Sequence, residues 1–81
     1  MSSDKARRIV ERIARESYGR LVALLAVRTR DVASAEDILA EAFAAALEQW
    51  PTEGVPTNPD GWLVTVAKRR HADLLRRGKS R

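Results

Sequence analysis

Lys68-Arg69-Arg70 and, further along, Arg76-Arg77 place a run of cations near the C-terminal end of the sequence. Guanidinium and ammonium groups at such density suit phosphate neutralisation, with affinity that falls as salt rises. Asp37 and Glu41 stand one helical turn apart and could hold a divalent cation weakly, although a solvated helix face explains them as well. His71 is the single histidine, and there is no cysteine. One imidazole and no thiolate leave no zinc site of ordinary ligand count. No glycine-rich phosphate loop is present, and a Ser-His-Asp site needs a cleft that a chain of 81 residues does not build. The reading is therefore of a binding protein without a cofactor or metal, not an enzyme.

Three helices are expected to position these groups. The first spans about Asp4 to Thr29, with Ala6, Ile9, Val10, Ile13, Ala14, Leu21, Leu24, Leu25 and Val27 on one stripe. Arg8, Arg12, Arg15 and Glu11 fall on its other side. Gly19 marks a bend or the close approach of another helix. Ser34 reads as the N-cap of the second helix, with Asp37 completing a capping box. Ile38, Leu39, Ala42, Phe43, Ala46, Leu47 and Trp50 form its apolar face, and Pro51 ends it. The segment from Pro51 to Pro59 is a stiff, proline-rich loop. Asn58-Pro59 then reads as a cap followed by proline at the first helical position. The third helix runs to about Arg77 and stops at Gly78. Its early turns carry Trp62, Leu63, Val64, Val66 and Ala67; past Lys68 only His71, Leu74 and Leu75 continue the apolar stripe. Asp73 can pair with Arg69, Arg76 or Arg77. The fold expected is an all-α, compact three-helix bundle forming a single domain over residues 1–81.

Charge is divided along the chain. Asp31, Glu36, Asp37, Glu41, Glu48, Glu53 and Asp60 lie in a stretch without a single Lys or Arg. Beyond Gly61, Asp73 is the one acid among the bases. With a net charge of +4, this polarity points to two partners, one basic and one polyanionic, the latter most simply nucleic acid. The lack of cysteine fits a reducing compartment. No apolar run is long enough to span a membrane, and the N-terminus lacks the apolar stretch of a signal peptide.

Ala35-Glu-Asp-Ile-Leu-Ala-Glu-Ala-Phe43, the proline loop, Asn58-Pro-x-x-Trp-Leu-x-x-Val-Ala-Lys-Arg-Arg70, Asp73 and Arg76-Arg77 together resemble region 2 of extracytoplasmic-function sigma factors. Leu47-Glu-Gln-Trp-Pro51 and Gly54-Val-Pro-x-Asn-Pro59 are similar to the actinobacterial-type members. The resemblance implies a cytoplasmic domain that docks on the clamp helices of the largest subunit of RNA polymerase. It also implies capture of single-stranded non-template DNA of the promoter −10 element. Glu36, Asp37, Ala40 and Glu41 match the clamp-binding helix, with Ala40 where the family commonly has glutamine. Pro51, Gly54, Val55, Pro56 and Asn58 match the loop that receives a flipped base. Trp62, Lys68, Arg69, Arg70, Arg76 and Arg77 match the DNA-binding segment, with Arg69 where asparagine is common. For Trp62, a core position and a DNA contact both remain open. Further partners implied are an anti-sigma protein or an intramolecular C-terminal regulator, and a parent protein with further C-terminal domains is expected.

Overall fold

A computed structural model describes residues 2–79. It contains α1 (Ser2–Glu16), α2 (Tyr18–Thr29), α3 (Val32–Glu53) and α4 (Pro59–Lys79), with no strand among the described residues. The all-α bundle is as the periodicity predicts, but the expected first helix is divided in two. Ser17 leaves the helical well, at φ −122° and ψ −4°. The ladder is nevertheless carried through it, from Ser17 N–H to the Ile13 carbonyl at 2.7 Å and from Leu21 N–H to the Ser17 carbonyl at 2.9 Å. The result is a kink, not a break. Its cause lies in the apolar pattern. The buried residues Ala6, Val10 and Ile13 and the buried residues Leu21, Val22 and Leu25 would point roughly 100° apart on a straight helix. Re-aiming the chain at Ser17 lets both groups face α3. Gly19 is exposed, and a Cβ there would meet nothing within 4 Å, so no helix approaches closely at that point.

The cap of α3 also differs from expectation. Asp31, not Ser34, is the N-cap, in extended backbone conformation at φ −159°. Its Oδ2 accepts from the Ser34 N–H at 3.0 Å and from the Ser34 hydroxyl at 2.6 Å. The helix thus begins earlier, and Ser34 serves as the donor partner of the cap. These two hydrogen bonds hold the Asp31 carboxyl below its ordinary value, the serine hydroxyl contributing most. Pro51 does not end the helix either; α3 continues to Glu53. Proline deprives the Leu47 carbonyl of its i+4 donor, but its fixed φ suits the helix, and the ladder resumes to close on Gly54. Gly54 ends the helix instead, at φ 93°, with its N–H on the Trp50 carbonyl at 2.8 Å. For α4 the expected start holds: Asn58 Oδ1 accepts from the Gly61 N–H at 3.1 Å. A Cβ at Gly61 would lie 2.6 Å from Asn58 Nδ2, so the cap side chain occupies the space that glycine leaves.

The central helix is α3, against which α1, α2 and α4 all pack. The α1–α2 arm and α4 both run antiparallel to it. Lys5 lies near Trp50, Tyr18 reaches Glu36, Trp62 meets Trp50 and Arg70 meets Glu41. Leu21, Leu25, Ile38, Leu39 and Leu63 fill the core. Ala35, Ala42 and Ala46 give α3 a small-residue surface with no solvent exposure, which lets its neighbours approach closely. Not every predicted stripe residue joins them. Val27 (81 %), Leu24, Leu47, Leu74 and Leu75 are exposed, and Ala14 is also exposed. From Lys68 onward no described residue of α4 is fully buried, because no element covers that end of the helix. The helix does not stop at Gly78 but reaches Lys79, the last described residue.

Two stability measurements test this packing. Ala42→Leu should overfill the helix contacts and lower stability by about 1–3 kcal/mol in denaturant titration. Asp31→Ala should lower Tm at neutral pH, and the gap should close in acid. Because the folded carboxyl titrates below its ordinary value, its stabilisation is complete above that ordinary value and lost as pH falls through the depressed one.

Candidate functional site

Each half of the predicted site occupies its own surface. On α3, Glu36, Asp37, Ala40 and Glu41 are all exposed, and Ala44 and Glu48 extend the same face. The core residues Ile38, Leu39, Ala42 and Ala46 fix the rotation of this helix, so the carboxylates must point outward. Asp37 makes no hydrogen bond or ion pair among the described residues, whereas its neighbours are engaged. Glu36 accepts from the Tyr18 hydroxyl at 3.3 Å. Burial, then the charge of Glu36, then this hydrogen bond raise the pKa of that phenol. Glu41 forms an ion pair with Arg70.

On α4, Trp62, Thr65, Val66 and Arg69 line a cavity of about 480 Å³ together with Pro56, Asn58 and Gly61. Spacings of three, four and seven residues place these α4 side chains on one face. The cavity is open-sided and mixed in chemistry. It offers the Trp62 ring, the Val66 and Pro56 apolar surfaces, the Asn58 amide and the Arg69 guanidinium. Thr65 donates its hydroxyl to the Gly61 carbonyl at 2.9 Å. Arg69 has no ion-pair partner among the described residues. Trp62 is half-buried; its ring meets that of the buried Trp50 edge-on, with centroids 5.3 Å apart and planes at 65°. It therefore packs on the core and forms a cavity wall at once.

The remaining candidates are dispersed around this cavity. Pro56 and Asn58 border it, but Pro51, Gly54 and Val55 line a separate hollow with Lys5, Trp50, Thr52 and Glu53. Lys68 is exposed but turned by about 100° from Arg69, away from the cavity face. Arg70 is half-buried and faces α3 through Glu41. Asp73 pairs with Arg76, one of the three partners its spacing allowed. Arg77 is exposed near the helix end. A third hollow, between α2 and α4, is bordered by Arg20, Leu24, Asp60 and Val64, and Arg20 pairs with Asp60 across it. Thr65, not singled out in the sequence, and Val66, expected only as one of the apolar early-turn residues, both line the cavity; their i+3 and i+4 relation to Trp62 was the available signal. No group of three metal-ligating side chains occurs among the described residues, and no described helix is long and apolar enough to cross a membrane.

Comparison with known proteins adds an independent result. The family model for sigma-70 region 2 matches residues 7–81. An uncharacterised protein of Rhizobium meliloti (strain 1021) is 38 % identical over 48 residues, which take in 59 % of this chain and 11 % of that protein. The chain thus corresponds to a small part of that relative's length. No solved structure matches. With a helical bundle, a cationic last helix and a family match running from α1 to the final residue, the chain belongs to the sigma-70 region 2 family.

Proposed function

We propose that this chain is the promoter-binding domain of an alternative sigma factor of the extracytoplasmic-function type, acting in the cytoplasm as part of a longer protein with further C-terminal domains. Glu36, Asp37 and Glu41 meet basic groups on the clamp helices of RNA polymerase, and Ala40 lets the partner helix come close. The cavity beside Asn58 receives an unstacked base of the non-template −10 strand. Phosphates of that strand follow Arg69, Arg76 and Arg77. The observation that carries this reading is the placement of Arg69 and Trp62 in one cavity with the rigid loop end, Pro56 and Asn58.

The physical argument rests on what each group can supply. Extruding a base costs a few kcal/mol. Stacking on an aromatic ring returns about 1–3 kcal/mol, and a cationic face neutralises the phosphates on either side. Trp62 and Arg69 provide these two terms from adjacent turns of one helix. No catalytic group is required, since the work is binding and strand separation. The Glu41–Arg70 pair links the two surfaces. Both side chains are partly exposed, and an exposed pair of this kind contributes only about 0–1 kcal/mol. Basic groups of the polymerase clamp compete for Glu41 at little cost, which frees Arg70 to turn toward DNA.

Two outcomes are expected. Asp37→Arg combined with Glu41→Arg should abolish capture of core RNA polymerase in a pull-down while the circular-dichroism spectrum stays helical; normal capture would remove the docking assignment. Arg69→Ala should leave core binding intact, weaken binding of a −10 single strand by the assembled holoenzyme, and make the slope of log K against log salt shallower by about 0.7, read by fluorescence anisotropy over a salt titration, as loss of one single-strand phosphate contact requires.

A further inference from the structure

A second cationic row lies outside the surfaces described above. Lys5, Arg8, Arg12 and Arg15 follow one another on α1 at spacings of three, four and three residues, which confines them to a sector of about 80°. All four are exposed. None forms an ion pair or side-chain hydrogen bond among the described residues, although Glu11 and Glu16 are close in sequence. Ala6, Val10 and Ile13 are fixed in the core, so the helix cannot rotate the row out of place. At 1.5 Å rise per residue the cations recur every ~4.5–6 Å over ~15 Å.

Its position joins it to the Arg69 cavity. Lys5 borders the hollow formed with Trp50, Pro51, Glu53 and Val55. That loop continues into Pro56 and Asn58, which border the cavity itself. Lys5, the first cation of the row, thus lies beside the loop whose other end borders the cavity. The chemistry of the row favours a nucleic-acid backbone over a protein. Protein partners are held mainly by buried apolar and aromatic anchors, and the sector between Lys5 and Arg15 presents no apolar side chain. Regularly repeated cations without apolar surface suit phosphates, which arginine forks bind well.

We propose that Lys5, Arg8, Arg12 and Arg15 form a second phosphate track, which takes the DNA backbone as it leaves the Arg69 cavity across the loop. The inference rests on the reading of that cavity as a DNA site.

The test uses the full-length natural protein assembled with core RNA polymerase, carrying Arg8→Gln, Arg12→Gln and Arg15→Gln together. Glutamine keeps the helix and removes the charge. Promoter-strand affinity is measured over a salt titration, and core binding by gel filtration. Loss of three single-strand phosphate contacts should make the log K against log salt slope shallower by about 2, with core binding retained. An unchanged slope with core binding retained would overturn the track and leave a solvated face. Loss of core binding would also overturn it, and would assign the row to an acidic surface of the polymerase. Arg69→Ala measured alongside separates the two readings. If it weakens DNA binding while the triple variant is silent, only the second track fails; if neither has an effect, the DNA reading of the cavity fails too.

Discussion

The edge-on contact of Trp50 with Trp62 is the constraint on which the functional surface depends. It ties the end of α3 to the start of α4 across the short loop from Gly54 to Asn58. Without it, the prolines would stiffen the loop but would not set its direction. With it, Pro56 and Asn58 are held against the first turns of α4, and the cavity wall has a fixed position. Aromatic pairs of this kind contribute about 0.5–1.5 kcal/mol beyond the area they bury. The arrangement also carries a cost, because the Trp50 indole N–H is buried without a hydrogen-bond partner among the described residues. An unmade bond of this sort costs about 1–3 kcal/mol. Burial of the large ring offsets it.

The second constraint is the fixed rotation of α3. Three fully buried alanines and the Ile38–Leu39 pair determine which side faces inward. The opposite side then has to carry Glu36, Asp37, Glu41 and Glu48. Acidic and basic surfaces consequently lie on neighbouring helices, close enough for Glu41 and Arg70 to touch. A bundle of this size cannot keep two oppositely charged surfaces far apart. Under the function we propose, this proximity has a use: docking on a basic partner and release of a cation for DNA become one exchange.

The kink at Ser17 has a similar consequence at the other end of the molecule. By letting α1 and α2 each turn a different face to α3, it commits the exposed side of α1 to a particular direction. The row from Lys5 to Arg15 is the result. A straight helix would have buried one apolar group and exposed the other, and the cationic row would have pointed elsewhere.

Much of this was legible in the amino-acid order. The 3.6-residue periodicity gave the helices, the Asn58-Pro59 signal gave the start of α4, and charge polarity together with the sigma-type motif order gave the family. These are local properties, decided by residues within a few positions of one another. What escaped were two local choices between competing signals and the features set by contacts between distant residues. Ser34 looked like a cap because its type is right, but Asp31 lay one turn earlier and could accept from it. Pro51 looked like a stop, yet it costs the ladder only the bond to the Leu47 carbonyl, and the helix closes on Gly54 three residues later. Leu74 and Leu75 continued an apolar stripe that no other element covers. Above all, the sequence determined which residues carry charge and aromatic surface, whereas only the packing of α4 on α3 decided which of them share a cavity. Arg69 enters it while Lys68 and Arg70, its immediate neighbours, are carried away by the 100° step of the helix, because the rotation of α4 is fixed by Leu63 and Ala67 in the core.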